Sequence, residues 1–325
     1  MAIEFCLDGL ATGLDNGTSW ENAYQTLQGG VDSLGSGNNL WVSGGTITLS
    51  ARIDFDNSNG GIIIGGFDPL LTGTSGSVVG RDLSTDITIL DGNGSYACGN
   101  IQNQTYTLDG LKFYRGIGTG SGIRVYVASK HATLKNCLVD SGTGGDAIDC
   151  LTGGASGSSI SMENCKVTNN SGGHPVEVYQ LDITMDDCEV SGNAGASGGG
   201  INLSGSSSDP NTAALTNCSI HDNTSTGYYS GTIIVSSYVT LSAVKCKVYS
   251  NTGGYYGGAL RTSNSTSVTK WKNCQFWDNL AGKGGAAVFS DGTNTFDNCT
   301  LADNNSTNSG GAIRNQSPSI LTITN

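Results

Sequence analysis

Asn164-Cys165-Lys166-Val167-Thr168-Asn169-Asn170 and Asn273-Cys274-Gln275-Phe276-Trp277-Asp278-Asn279 are two copies of one frame. An apolar residue stands three before the cysteine and Asn or Asp just before it. A second apolar residue follows two after, and Asn five after. The frame is centred on Cys137, Cys165, Cys188, Cys218, Cys246, Cys274 and Cys299, with gaps of 28, 23, 30, 28, 28 and 25 residues. So regular a period belongs to stacked supersecondary units, not to one globular core.

Each unit carries three short apolar stretches. One runs through the cysteine, as in Cys218-Ser219-Ile220; one follows a glycine pair, as in Gly257-Gly258-Ala259-Leu260; one precedes the next cysteine, as in Val239-Thr240-Leu241. They alternate with period two and are rich in Thr, Val and Ile, with Gly, Asn and Ser between them, which reads as strands. Three short strands cannot bury an apolar face alone, whereas stacked coils share one internal column. The chain therefore reads as all-β, a single-stranded parallel β-helix of about ten coils with three strands per coil. Cys and the residue two later share parity and point inward. The Asn or Asp before Cys marks a corner. The Asn five after Cys, at 170, 193, 223, 251, 279 and 304 with Gly142 as the exception, is expected at positive φ, which Asn and Gly both tolerate.

Before Cys137 the pattern is looser. Leu108-Asp109-Gly110-Leu111-Lys112-Phe113 fits with Gly at the cysteine position, and Ile87–Gly92 and Gly61–Phe67 read as earlier strands. Residues 1–40 are expected to form a cap with an amphipathic helix and 41–325 the β-helix, regular from about 108. Ser19 or Thr18 would cap that helix, whose stripe is Trp20, Tyr24, Leu27, Val31 and Leu34, interrupted at Gly29-Gly30. Residues 320–325 match the strand that precedes a cysteine, so an open edge is expected, covered by a further C-terminal domain or by a second copy in a homo-oligomer.

Net charge is −12 and the pI about 4.4, which argues against nucleic acid as a partner. No transmembrane helix is expected, and the first residues lack the features of a signal peptide. The seven aligned cysteines read as free thiols acting as small core hydrophobes, while Cys6, Cys98 and Cys150 lie outside the ladder and are free to pair. No spacing typical of a metal site or cofactor motif occurs, so no metal and no cofactor is expected.

Gly257-Gly258-Ala259-Leu260, Gly310-Gly311-Ala312-Ile313 and Phe276-Trp277-Asp278-Asn279 resemble the Gly-Gly-Ala-(Ile/Leu/Val) and Phe-x-x-Asn repeats of polymorphic outer membrane proteins and related right-handed parallel β-helix surface proteins. The openings Asp15–Tyr24 and Leu40–Thr46 are similar to the start of such domains in bacterial surface and phage proteins. The resemblance spans nearly the whole chain. It implies a right-handed helix, an extracellular, cell-surface or virion location, and a role in adhesion or display.

Two sets of side chains are candidates for function. Three after Cys, His221, Tyr249 and Trp277 form a column of rings, and the turns Tyr228-Tyr229 and Tyr255-Tyr256 stack near Arg261. Flat rings with hydrogen-bonding neighbours suit a glycan or a cell-surface receptor. On the glycine-pair strand, Asp149, Glu177, Asn202, Ile234, Arg261, Phe289 and Arg314 form an outward column, with Asp146 and His174 beside its start. The carboxylates of Asp149, Glu177 and Asp146, with His174, are weak catalytic candidates for polysaccharide cleavage. A β-helix lyase of the pectate kind is not expected, because no Asp is seen paired with Arg or Lys on adjacent coils. The favoured function is a non-catalytic structural and adhesive module. The alternatives are a polysaccharide lyase or glycoside hydrolase, and a self-assembling fibre component.

Overall fold

The computed structural model describes residues 3–6, 11–35, 37–68, 81–102, 104–126, 130–151, 157–196, 198–227, 231–308, 310–316 and 318–325. Tyr228 and Tyr229 lie outside the described residues, as does the side chain of Cys6. The chain winds into a right-handed parallel β-helix with one short α-helix. A leading sheet of 12 strands runs from Ile3–Cys6 to Ile320–Thr324, and a cysteine sheet of ten runs from Gly45–Thr48 to Thr300–Ala302. A glycine sheet, also of ten, runs from Ile53–Phe55 to Ile313–Asn315. Every strand pairs in parallel with its equivalent one coil away, for example Val167 with Val190 and Ile220 with Val248. At the parallel-strand spacing the leading sheet is about 50 Å tall.

A fourth sheet is an addition to the expected three. Its seven strands, from Thr143–Gly145 to Asn305–Ser306, are two or three residues long and begin with the regular coils. They exist because each coil bends twice at left-handed residues. The first bend is the position before Cys: Asn136, Asn164, Asp187, Asn217, Lys245, Asn273 and Asn298 have φ of 49–57°. The second lies four after Cys, at Ser141, Asn169, Gly192, Asp222, Ser250, Asp278 and Asp303.

The Asn five after Cys is thus not a left-handed turn residue, contrary to the expectation from sequence. The turn sits one residue earlier, and the Asn itself is a rung in a stacked amide column. Asn193 Nδ2 donates to Asn223 Oδ1 at 2.9 Å and to the Val167 carbonyl at 2.9 Å, while its backbone N–H donates to the same Asn223 oxygen at 3.1 Å. Asn170, Asn223, Asn251 and Asn279 repeat the scheme. Every amide hydrogen and oxygen in the column's middle is used, as a buried polar group requires. At the column's start Gly142 N–H donates to Asn170 Oδ1, and a Cβ on Gly142 would meet Ser121 Oγ at 2.3 Å. Packing against Ser121 explains the exception.

The thiols are aligned. Backbone N–H groups of Cys246 and Cys274 reach the sulfur of the next rung at 3.4 Å, and each thiol donates to a carbonyl, as Cys188 does to Asp186. All nine described cysteines are free, including Cys98 and Cys150. Burial pushes the Cys98 thiol up to about 11, which keeps it inert. Inside, Leu134, Met162, Met185, Leu215, Trp271 and Phe296 form a neighbouring buried column, and Phe276 packs edge-on against Trp271 and Phe296 at 4.9 and 5.8 Å.

The α-helix is Leu27–Ser33, capped by Thr26 rather than by Ser19 or Thr18. Its stripe still reaches the core: Leu27, Val31 and Leu34 are buried. Trp20 and Tyr24 come from the preceding turns, where Asn22 accepts from Leu14 N–H and Ser19 from Asn22 N–H. These side-chain bonds hold residues 14–22 out of a helix. Trp20 then tilts against Phe67 at 6.3 Å, and Trp41 stacks on Phe67 at 4.4 Å.

Candidate functional site

The glycine sheet presents alternate residues outward, and its register assembles one column across ten coils: Asp54, Asn100, Arg124, Asp149, Glu177, Asn202, Ile234, Arg261, Phe289 and Arg314. Beside it, the loops that lead into these strands carry Asp146, His174, Tyr255 and Tyr256. The face divides into two halves of different chemistry.

Carboxylates and their partners make the first half. Arg124 lies directly below Asp149 in the register, with Nε 3.2 Å from Asp149 Oδ2. This overturns the expectation that no Asp pairs with Arg on an adjacent coil. The strand Ile123–Tyr126 follows Ser121-Gly122 instead of a Gly-Gly-Ala signature, so sequence gave no sign of its place in the column. Asp149 is 2% exposed. Its Oδ2 and Arg124 Nε are close but not aligned as a hydrogen bond, and neither atom has another hydrogen-bond partner. Burial first, then the charge of Asp146, lifts the Asp149 carboxyl to about 6 despite Arg124.

One coil on, His174 Nδ1 lies 2.7 Å from Glu177 Oε2 and 3.4 Å from Asp146 Oδ1. Burial opposes charge on this imidazole, but hydrogen bonds with Asp146 and Glu177 outweigh it, and the group rises to about 9. The His174 backbone N–H also donates to Asp146 Oδ1 at 2.7 Å. Burial works against the Asp146 charge too, and the bonds with His174 hold its carboxyl below the ordinary value. Asn202 Nδ2 donates to both Glu177 oxygens at 2.8 and 3.1 Å. The four residues named as catalytic candidates are therefore brought together. Next to them a cleft of about 180 Å³ is lined by Arg52, Asn100, Gln102, Arg124 and Tyr126.

Rings and cations make the second half. Tyr256 packs on Phe289 at 4.4 Å, the Arg314 guanidinium lies 5.6 and 5.5 Å from the two ring centres, and Lys283 Nζ sits 4.0 Å over Tyr255. Tyr255 and Tyr256 meet edge to face at 4.9 Å, and Arg261 pairs in register between Ile234 and Phe289.

The other ring column stands apart, on the cysteine sheet. His221, Tyr249 and Trp277 stack at 4.6 and 4.3 Å with planes 8° and 5° apart. Each ring covers its neighbour's face, so the column offers edges and two end faces rather than the row of open faces expected from sequence. Above Trp277 the next position is Ala302. Among the described residues no ring contact links this column to Tyr255 or Tyr256.

A family profile described as "Right handed beta helix region" matches residues 97–270. Among solved structures, pectate lyase Pel9A is similar with a TM-score of 0.50 and 13% identity, over 95% of this chain and 78% of that one. The ORF18 protein of Geobacillus virus E2 is similar with a TM-score of 0.53 and 11% identity, over 97% of this chain and 57% of that one. No curated protein matches the chain in sequence. No helix among the described residues is long and apolar enough to cross a membrane.

Proposed function

The chain belongs to the right-handed β-helix family, and on that footing we propose that it binds an extended polysaccharide along the outer face of the glycine sheet. The observation that carries this reading is the composition of that face: charges and amides follow each other along the column, and the rings of Tyr255 and Tyr256 flank its far end. From Arg124 to Arg314 the track spans eight strands, roughly 34 Å at the parallel spacing, a length suited to a polymer rather than a single sugar. Tyr255 and Tyr256 supply apolar faces, with the buried Phe289 packed under Tyr256, and Arg261, Asn202 and Arg314 supply donors. The ring stack of His221, Tyr249 and Trp277 serves to hold its coils together, and the site of display is a cell surface or a virus particle.

Electrophoresis of the protein through gels containing neutral and acidic polysaccharides tests this. Retardation by at least one polymer is expected, and Tyr256→Ala with Arg261→Ala should abolish it. Unaltered mobility in every gel sinks the reading.

A second reading, cleavage of the bound polymer, is favoured by Asp149. A carboxyl that titrates near 6 is a proton donor close to neutral pH, and Glu177 stands one coil above it. New reducing ends or unsaturated products, lost in Asp149→Asn, would establish cleavage. Retardation without any product leaves a binding module.

A further inference from the structure

We propose that Asp146, His174 and Glu177 form a binding site for a divalent transition-metal ion such as Zn²⁺. One atom of each, an aspartate oxygen, an imidazole nitrogen and a glutamate oxygen, lies within 4.8 Å of the other two. His174 Nδ1 is 3.4 Å from Asp146 Oδ1 and 2.7 Å from Glu177 Oε2. Ligand atoms around a tetrahedral Zn²⁺ stand roughly 3.3 Å apart, so a small adjustment closes the set. A nitrogen and two oxygens suit Zn²⁺ or Mn²⁺, whereas Ca²⁺ prefers six or more oxygens.

The ligands are oriented in advance. Asn202 holds both oxygens of Glu177, and the His174 backbone N–H fixes Asp146. Loss of such outer partners typically lowers metal affinity by about 10–100-fold. All three side chains are 16–20% exposed, which leaves an open side for water or a ligand.

A separate observation also calls for positive charge. Asp149, in register with Glu177, is 98% buried by side-chain exposure, and its Oδ2 makes no hydrogen bond. Three carboxylates, Asp146, Asp149 and Glu177, thus crowd one imidazole and one guanidinium, that of Arg124, which is itself 38% exposed. A dication would balance the excess. On binding, Zn²⁺ replaces the Nδ1 proton of His174, which leaves to solvent.

Calorimetric titration of the metal-free full chain with Zn²⁺, Mn²⁺ and Ca²⁺ tests the assignment. One Zn²⁺ per chain is expected, with Ca²⁺ at least 10-fold weaker. His174→Ala and Glu177→Gln should each weaken Zn²⁺ by 10-fold or more. Asn202→Ala leaves the ligand set intact and should weaken it about 10-fold through Glu177 alone. His221→Ala, which alters the histidine beside Glu189 and Asp222, should change nothing. No saturation at millimolar Zn²⁺, undiminished affinity in folded His174→Ala, a preference for Ca²⁺, or loss on His221→Ala would each overturn the assignment. Metal binding without polysaccharide retardation would retire the proposed function and leave this site standing.

Discussion

The buried asparagine column and the outward column of the glycine sheet are built by the same winding, yet they follow opposite rules. Inside, Asn170, Asn193, Asn223, Asn251, Asn279 and Asn304 repeat one residue, and each amide saturates its neighbour. Outside, Arg124, Asp149, Glu177, Asn202, Ile234, Arg261 and Phe289 change chemistry at every step but the one from Asp149 to Glu177, and Asp149 is buried without a hydrogen bond. In a solenoid, a repeated side chain solves a stability problem once and copies the answer. A varied column with unsatisfied charge does not stabilise the fold, and so calls for another explanation.

The largest effect should come from interrupting the repeated column at its middle. Asn223→Leu removes two acceptor and two donor bonds and strands the backbone N–H of Asn193 and one of its amide hydrogens, while Asn251 Oδ1 keeps the backbone N–H of residue 223. A loss of about 4 kcal/mol is expected in urea unfolding, since each buried orphan costs about 1–3 kcal/mol. Asn304, only half-buried at the column's end, should cost far less on the same substitution. Equal losses at both positions would break the contrast between middle and end.

The varied column should instead reveal itself through pH. The folded Asp149 carboxyl is raised to about 6 from an ordinary 3.8, so the folded state binds the proton more tightly. Stability is then highest at low pH with respect to this group and falls as pH rises from about 4 to about 6. His174 is raised to about 9 from 6.5, so its contribution is complete below about 6.5 and is lost as pH rises through about 9. Each shift is worth on the order of 3 kcal/mol. In metal-free protein, Asp149→Asn should abolish the first decline and raise the midpoint at pH 7. His174→Gln should abolish the second. Urea midpoints measured across pH 4–10 check both, and a flat profile in the parent protein would count against the charged cluster.

The ring stack should fall on the structural side of the comparison. Tyr249→Ala deletes two face-to-face contacts, an expected loss of about 1–2 kcal/mol, with no change in polysaccharide mobility. A mobility change with unaltered stability would move the ladder to the functional side.

The same contrast explains what the sequence could disclose. Coil spacing, inward thiols and the corner before each cysteine were legible because repetition makes position visible. The role of the Asn five after Cys was not, since a left-handed turn and a buried amide ladder both favour Asn. Only the backbone shows that the turn falls one residue earlier, on Asn169, Asp222 or Asp278. The acidic start of the outward column was legible from the glycine-pair signature, but Arg124 and Tyr126 belong to a coil without a ladder cysteine. There the register sets Leu111, not Gly110 as expected from sequence, level with Cys137, and Gly110 takes the left-handed corner at φ 70°. Without the frame, nothing in the sequence aligned them with Asp149. The function-bearing positions are the least repeated ones, and so the hardest to place by period.

Lys245 sharpens the comparison from the side of repetition. It occupies the corner before Cys246 at φ 56°, where five of the seven equivalents are Asn and one is Asp. Asn tolerates the left-handed region better than Lys, because its short side chain bonds locally to the backbone. At other corners the amides also join across coils, as Asn164 Nδ2 does to Asn136 Oδ1 at 2.8 Å and Asn298 Nδ2 to Asn273 Oδ1 at 2.7 Å. Lys245→Asn would sit between Asn217 and Asn273 and extend that series. A gain of about 0.5–1 kcal/mol in urea unfolding is expected, with Zn²⁺ affinity and polysaccharide mobility unchanged. If restoring the repeat instead destabilised the protein, the lysine at this corner would be stabilising in its own right, and repetition would no longer identify the residues that hold the coils together.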